Sequence, residues 1–302
     1  MTGLTNFITH AKWSDIATIW FVLIDDAYTA LEHHFGQWRR RGPKPSFTDS
    51  EVITVSLLID TFFDGNEEKG LRMLRQFSAD LFPNLLPNGQ FNYRRRLLGP
   101  IMEQLRRYLS LNWGLIEPTD ELRIIDSAPV PVCTYKRANR NTNFVGTQYF
   151  GKMYSQAGLL CGFRLHLTVS DQQQIDNWLL APAAHHDTQL LWSLSEEQLG
   201  LWMLGDGAYK SPIEHAKLRD KRAHRVFAPP RRDSKMQWPK PFNKLFKRLR
   251  KRVESVLSVL STVFKVKTPG SRSSDGLVAR TATRILAYSL CFITNAILAG
   301  AR

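Results

Sequence analysis

From Ala11 to about Tyr108, apolar positions recur every three or four residues, the period of helices with one buried side. Thr48 and Glu51 fit a capping box that opens one of them, with Val52, Val55, Ile59 and Phe62 on its apolar side. Asn88-Gly89 marks a turn, and a helix is predicted through Phe91, Leu98, Met102, Leu105 and Leu109. Arg94, Arg95 and Arg96 fall near its start, and Arg39, Arg40, Arg41 and Lys44 lie in an earlier loop. Arginines at a helix start suit a helix-turn-helix reader of DNA; a plain helical bundle with solvated arginines suits the pattern equally well.

At Glu121 the period changes. Leu122 to Asp126 is a short apolar run ending in an acid, and Pro129 and Pro131 are expected to close it. Phe163 to Ser170 alternates, with Phe163, Leu165, Leu167 and Val169 on one face and Arg164 and His166 on the other. Residues 171–174 turn into a partner strand from Ile175 to about Ala181. Asp187-Thr188 is expected to cap a helix reaching about Leu199. Leu201 to Leu204 is a fully apolar strand ending in Gly205-Asp206-Gly207. A helix from Pro212, a strand over 225–228 and a long helix from Phe242 to Phe264 complete the order. In the long helix Phe246, Leu249, Val253, Val256, Leu260 and Val263 form one stripe. This succession predicts a mixed sheet flanked by helices, an α/β or α+β layer, behind an all-helical N-terminal region. The boundary is expected near residue 118, giving regions 1–118 and 119–302. The stretch from Val132 to Gly162 is long for a structureless loop, so it either serves function or holds a further element.

Charge sharpens the picture. The 302 residues carry 41 Lys+Arg against 27 Asp+Glu, a net of +14. Fifteen of those basic residues and only two acids lie between Lys217 and Arg252, leaving 26 basic and 25 acidic residues elsewhere. Like charges so crowded repel unless a polyanion neutralises them, and nucleic acid is the expected partner. Pro229, Pro230, Pro239 and Pro241 interrupt the segment, which argues against one amphipathic helix lying on a membrane. Ile285 to Gly300 is too short and too polar at Ser289, Thr294 and Asn295 for a span and is expected to be a buried helix. Cys133, Cys161 and Cys291 are too scattered for a disulfide framework, and with no apparent signal peptide a reducing cytosol is expected.

Three acids occupy telling positions. Asp126 and Asp206 end strands, and Glu254 stands beside the buried stripe of the basic helix, one turn after Arg250. Carboxylates at strand ends lie where crevices open in such sheets, and hard oxygen donors suit Mg²⁺ or Mn²⁺. Taken singly, each could be a turn, cap or salt-bridge residue. His33-His34 and His185-His186-Asp187 fit loop or cap roles better than a metal site, since adjacent histidines point apart. His166 is expected to line the crevice or to be solvated. No phosphate-binding Gly-rich loop and no Gly-x-Ser-x-Gly elbow occurs.

Four motifs then stand together in order: Ile-Ile-Asp126-Ser-Ala-Pro-Val-Pro-Val-Cys133, Gly162-Phe-Arg-Leu-His166-Leu, Leu-Gly-Asp206-Gly-Ala-Tyr209 and Arg-Lys-Arg-Val-Glu254-Ser-Val-Leu. With them the chain resembles bacterial insertion-sequence transposases of the DDE, RNase H-like class, over about residues 46–300. The resemblance implies an RNase H-like core in which Asp126, Asp206 and Glu254 hold two Mg²⁺ or Mn²⁺ ions. It implies cutting of transposon ends and joining of 3′-hydroxyls to target DNA, with double-stranded DNA as partner, a homodimer in the DNA complex, and no membrane. Only 48 residues separate Asp206 from Glu254, leaving no room for the β-rich insertion of some branches. Around the last acid Arg250 fits the family pattern, but Lys247 stands at its Tyr step and Ser261 at its Lys step. Expected DNA contacts are Lys244, Lys247, Arg248, Arg250, Lys251 and Arg252 on the helix, Arg231 and Arg232 before it, and Arg94 and Arg95 in the N-terminal region. A stand-alone metal-dependent nuclease and an inactive DNA-binding derivative are the alternatives.

Overall fold

The computed structural model describes residues 12–38, 42–43, 45–117, 119–153, 158–195, 198–231 and 233–300. Arg39, Arg40, Arg41, Lys44 and Arg232 lie outside the described residues. In chain order the helices α1 to α5 are Trp13–Phe35, Asp49–Phe62, Glu67–Phe77, Asn88–Leu97 and Gly99–Asn112. There follow β1 (Leu122–Cys133), β2 (Phe150–Met153), β3 (Gly158–Val169), β4 (Ile175–Pro182), the short α6 (Leu191–Leu194) and β5 (Trp202–Leu204). Then come α7 (Pro212–Arg222), β6 (Arg225–Phe227), α8 (Lys240–Thr262) and α9 (Ser274–Gly300). The chain divides into two units: residues 1–114 with 262–302, and residues 115–261. The sequence pattern places 119–302 in one region, whereas here α9 groups with the N-terminal helices.

In the helical unit the expected capping box opens α2: the Glu51 N–H donates to the Thr48 hydroxyl and the Thr48 N–H to the Glu51 carboxylate. Its core includes Trp20, whose indole N–H donates to Thr294 of α9 at 2.9 Å. A Cβ on Gly99 would come within 3.1 Å of the Ala279 backbone, so α5 and α9 cross closely there. By length and composition α9 could span a membrane, yet 67% of its most apolar window is buried. It is a core helix, as expected.

The arginine cluster corrects the sequence reading. The single helix expected from Phe91 to Leu109 is two, broken at Leu98, and Arg94, Arg95 and Arg96 fill the last turn of α4 instead of a helix start. Cations belong there, at the negative end of the helix dipole. Arg95 is 1% exposed and ion-paired with Asp60, which is itself fully buried. Arg94 donates to the Phe47 carbonyl and to Asp49. Arg95 is closed off from solvent and Arg94 keeps 15% of its side chain exposed, and acids far away in sequence pair with both.

The second unit is built on a six-stranded sheet with the order β2-β3-β1-β5-β6, β4 also pairing with β3. β1, β3 and β4 are antiparallel neighbours, whereas β5 and β6 run parallel to β1. This is a mixed sheet of the RNase H-like kind. β1 does not stop at Asp126 but continues to Cys133, with Pro129 opposite Arg164 and Pro131 opposite Gly162. The Trp202 N–H donates to the Glu121 carbonyl, so odd-numbered residues of β1 point their backbone groups toward β5. The two prolines share that parity, and β5 ends at Leu204, so their missing N–H groups fall on an edge with nothing to bond. The long stretch after β1 holds two 3₁₀ turns and β2, a strand the sequence pattern did not reveal.

Sheet alternation sorts the helices. Ile125 packs with Leu191, Leu194, Leu201, Met203, Tyr209 and Leu218, the core under α6 and α7. Asp126, one step on, points to the other face, where it meets α8. On α8 Phe246, Val253, Val256 and Leu260 are buried, as the stripe predicted, while Leu249 is half-buried.

Candidate active site

Ile124 and Leu204 are the last paired residues of the parallel strands β1 and β5. Asp126 and Asp206 each lie two residues beyond that pair, so two carboxylates stand at equivalent steps on neighbouring strands, whose axes are about 4.8 Å apart. β1 holds the Asp126 backbone in extended form, and the Ser127 N–H donates to its Oδ1 at 2.8 Å. Asp206 caps a 3₁₀ turn, accepting the Ala208 N–H at 3.0 Å. Gly205 leaves room for the return of this turn, since a Cβ there would meet the Tyr209 ring at 2.9 Å.

The third acid arrives on α8. The Arg250 Nη2 donates to Asp126 Oδ2 at 2.9 Å and lies 3.9 Å from Glu254 Oε1. Arg250 and Asp126 are about four-fifths buried, whereas the Glu254 side chain is 56% exposed. The Asp126 carboxyl is raised to about 6 overall: burial is the largest cause, Arg250 and the Ser127 N–H pull it down in part, and the nearby negative charge of Asp206 adds to the rise. Asp126 is thus a carboxylate that gains from a cation, and hard oxygen donors suit Mg²⁺ or Mn²⁺ in kind. In arrangement, no three His, Cys, Asp or Glu among the described residues stand close enough to share one ion. The guanidinium of Arg250 stands between Asp126 and Glu254 instead.

Behind the two aspartates lies a polar group that sequence reasoning missed. His166 is fully buried rather than solvated or lining the crevice, with Nδ1 3.3 Å from the Tyr209 hydroxyl and 3.8 Å from Asp187 Oδ1. Burial, with Arg164 and His185 nearby, lowers it to about 3, so the ring is neutral and its contact with Asp187 is not an ion pair. The expected cap at Asp187-Thr188 belongs to His186, whose Nδ1 accepts the Thr188 N–H at 3.4 Å. The Asp187 carboxylate is free of that cap; burial raises its pKa, Arg164 pulls it down and the negative charge of Asp206 pushes it up. The capped segment is a 3₁₀ turn followed by α6, not a helix to Leu199.

The basic segment has two uses. Arg222 lies over the Trp192 ring at 3.7 Å, so part of its charge is spent on packing. On α8, Lys244, Lys247, Arg248 and Lys251 are exposed at i, i+3, i+4 and i+7, one cationic face opposite the apolar stripe. Arg252 reaches Asp171 at 3.5 Å, and Arg231 is exposed ahead of the helix.

A family model described as a transposase DDE domain matches residues 117–274, and the chain belongs to that family. It is a transposase of the DDE class. No curated protein matches the sequence. Among solved structures it is similar to a chain of a pre-cleavage Mos1 transpososome, at 11% identity, 93% coverage of this chain and 96% of that one, with a TM-score of 0.23. The fold rests on the strand topology above rather than on so remote a likeness.

Proposed function

We propose that this transposase belongs to an insertion sequence, cuts the DNA at the element's ends and joins the freed 3′-hydroxyls to target DNA. Asp126, Asp206 and Glu254 hold two divalent metal ions in this reading. Mg²⁺ or Mn²⁺ held by these carboxylates would supply Lewis acidity to the phosphate. Asp126 is fixed by its strand and by the Ser127 N–H, and Asp206 by its turn, so both carboxylates are oriented before substrate arrives. Arg250, beside Asp126, offers a cation to the scissile phosphate. The exposed face of Lys244, Lys247, Arg248 and Lys251, with Arg231, lies along the phosphate backbone. Two copies act on the paired ends, one site for each, in the bacterial cytoplasm.

The observation that carries the reading is the placement of Asp126 and Asp206 at equivalent steps past the last paired residues of neighbouring parallel strands. DNA flanking the reading frame, incubated with the full chain and Mg²⁺, tests it. The wild type should nick that DNA and yield joined products. Asp126→Asn, Asp206→Asn and Glu254→Gln should each lose cleavage by orders of magnitude while still binding DNA. A variant that cuts near the wild-type rate removes that residue from the site; cleavage without joined products makes the chain a nuclease.

A further inference from the structure

Both oxygens of Asp126 are engaged by the protein itself. Oδ1 accepts the Ser127 N–H at 2.8 Å, a partner held in the strand. Oδ2 accepts the Arg250 Nη2 at 2.9 Å, a partner on a rotatable side chain. The same nitrogen lies 3.9 Å from Glu254 Oε1, so one guanidinium balances two of the three acids. A divalent ion bound to Oδ2 would stand next to that positive charge, and in a half-buried site like charges repel strongly. Ion and guanidinium therefore exclude one another.

The guanidinium is also incompletely satisfied where it sits. Its Nε is buried without a hydrogen-bond partner, so an acceptor of fork-matching shape would bond it better than two carboxylates that use Nη2 alone. A phosphate diester has that shape.

We propose that Arg250 is a built-in counter-cation that occupies the metal position between Asp126 and Glu254 and yields it when a DNA phosphate takes up the guanidinium. The proposal rests on the reading of Asp126 and Glu254 as metal-binding carboxylates. Metal affinity in the DNA-free protein is accordingly held low by this one side chain, which keeps the site from loading away from substrate.

Titration of the full chain with Mn²⁺ alone, followed by the electron paramagnetic resonance signal of the unbound ion, tests this without any reaction. Arg250→Gln removes the competing charge and should bind Mn²⁺ about tenfold more tightly than the wild type, the scale of one charge-assisted hydrogen bond. Arg250→Lys keeps the charge and should gain little. Arg250→Met serves if the Gln variant fails to fold, judged by its melting curve. The double variant Asp126→Asn with Arg250→Gln should lose the gain. If Arg250→Gln binds no more tightly than the wild type while Asp126→Asn weakens binding, the counter-cation is overturned and the metal site stands. If no variant binds Mn²⁺ at millimolar concentration, the metal reading itself falls, and the counter-cation with it.

Discussion

Arg95 and Asp60, 35 positions apart on α4 and α2, are ion-paired with both side chains buried. Arg284 of α9 lies 3.9 Å from the same carboxylate, and Arg95 also approaches Glu67 at 3.5 Å. Removing one member of such a group leaves a buried charge uncompensated, at a cost of about 3–5 kcal/mol. Arg95→Ala should therefore lower the melting temperature markedly, and DNA affinity should fall only as the protein unfolds. A variant that melts like the wild type but no longer binds DNA would return Arg95 to the DNA interface.

The two faces of α8 should separate cleanly. Val253 is fully buried, so Val253→Asp places an unpaired carboxylate in the core and should unfold the unit. Lys251→Ala, on the exposed face, should leave the melt unchanged and weaken DNA binding. For every phosphate that a variant leaves unneutralised, the slope of log affinity against log salt should flatten by about 0.9. An unchanged slope across Lys244→Ala, Lys247→Ala and Lys251→Ala would take this face off the DNA.

Asp126 should cost stability when ionised. Its pKa is raised from the ordinary 3.8 to about 6, so the folded state holds the proton more tightly than the unfolded chain does. The fold loses stability as pH rises from about 4 to about 6 and nothing further above. Asp126→Asn escapes that loss, so its advantage over the wild type should grow across the window to at most about 3 kcal/mol and then stay level. Denaturant titrations of both proteins from pH 4 to pH 8 measure it; a constant difference would mean that Asp126 is an ordinary solvated acid.

His166 should act with the opposite sign. Its pKa falls from 6.5 to about 3 on folding, so the unfolded chain binds the proton more readily and stability is lost as pH drops below 6.5. The loss should reach up to about 3 kcal/mol at pH 4. His166→Gln should flatten this part of the wild-type pH profile. An unaltered acid limb would show that the imidazole is protonated in the folded protein.

The strands over 163–169, 175–181 and 202–204 were legible because each has a clean alternating or continuous apolar pattern between turn residues. The far half of β1 was not, because prolines announce an end to pairing, and only the early stop of β5 explains why they do no harm here. β2 is four residues long, and Gly151 within it admits the Ala183 carbonyl, which a Cβ would meet at 2.5 Å, so neither length nor side chains signal a strand. Asp126, Asp206 and Glu254 stood out as acids beside apolar runs. Arg94 and Arg95 misled because a burst of arginines looks the same whether solvent or distant acids neutralise it. Asp187 stayed hidden because the cap assigned to it is made by its neighbour His186.

The placement of α9 has a consequence for the order in which the protein can fold. Synthesis completes the sheet-bearing unit once residue 261 has emerged, whereas the helical unit, begun first, still lacks Leu277, Leu286 and Leu290. Its first five helices must wait for α9, with the surface that α9 covers left open, until the sheet-bearing unit has been made. The helical unit thus starts to emerge before the sheet-bearing unit yet closes after it, and has the longer need of chaperone cover of the two.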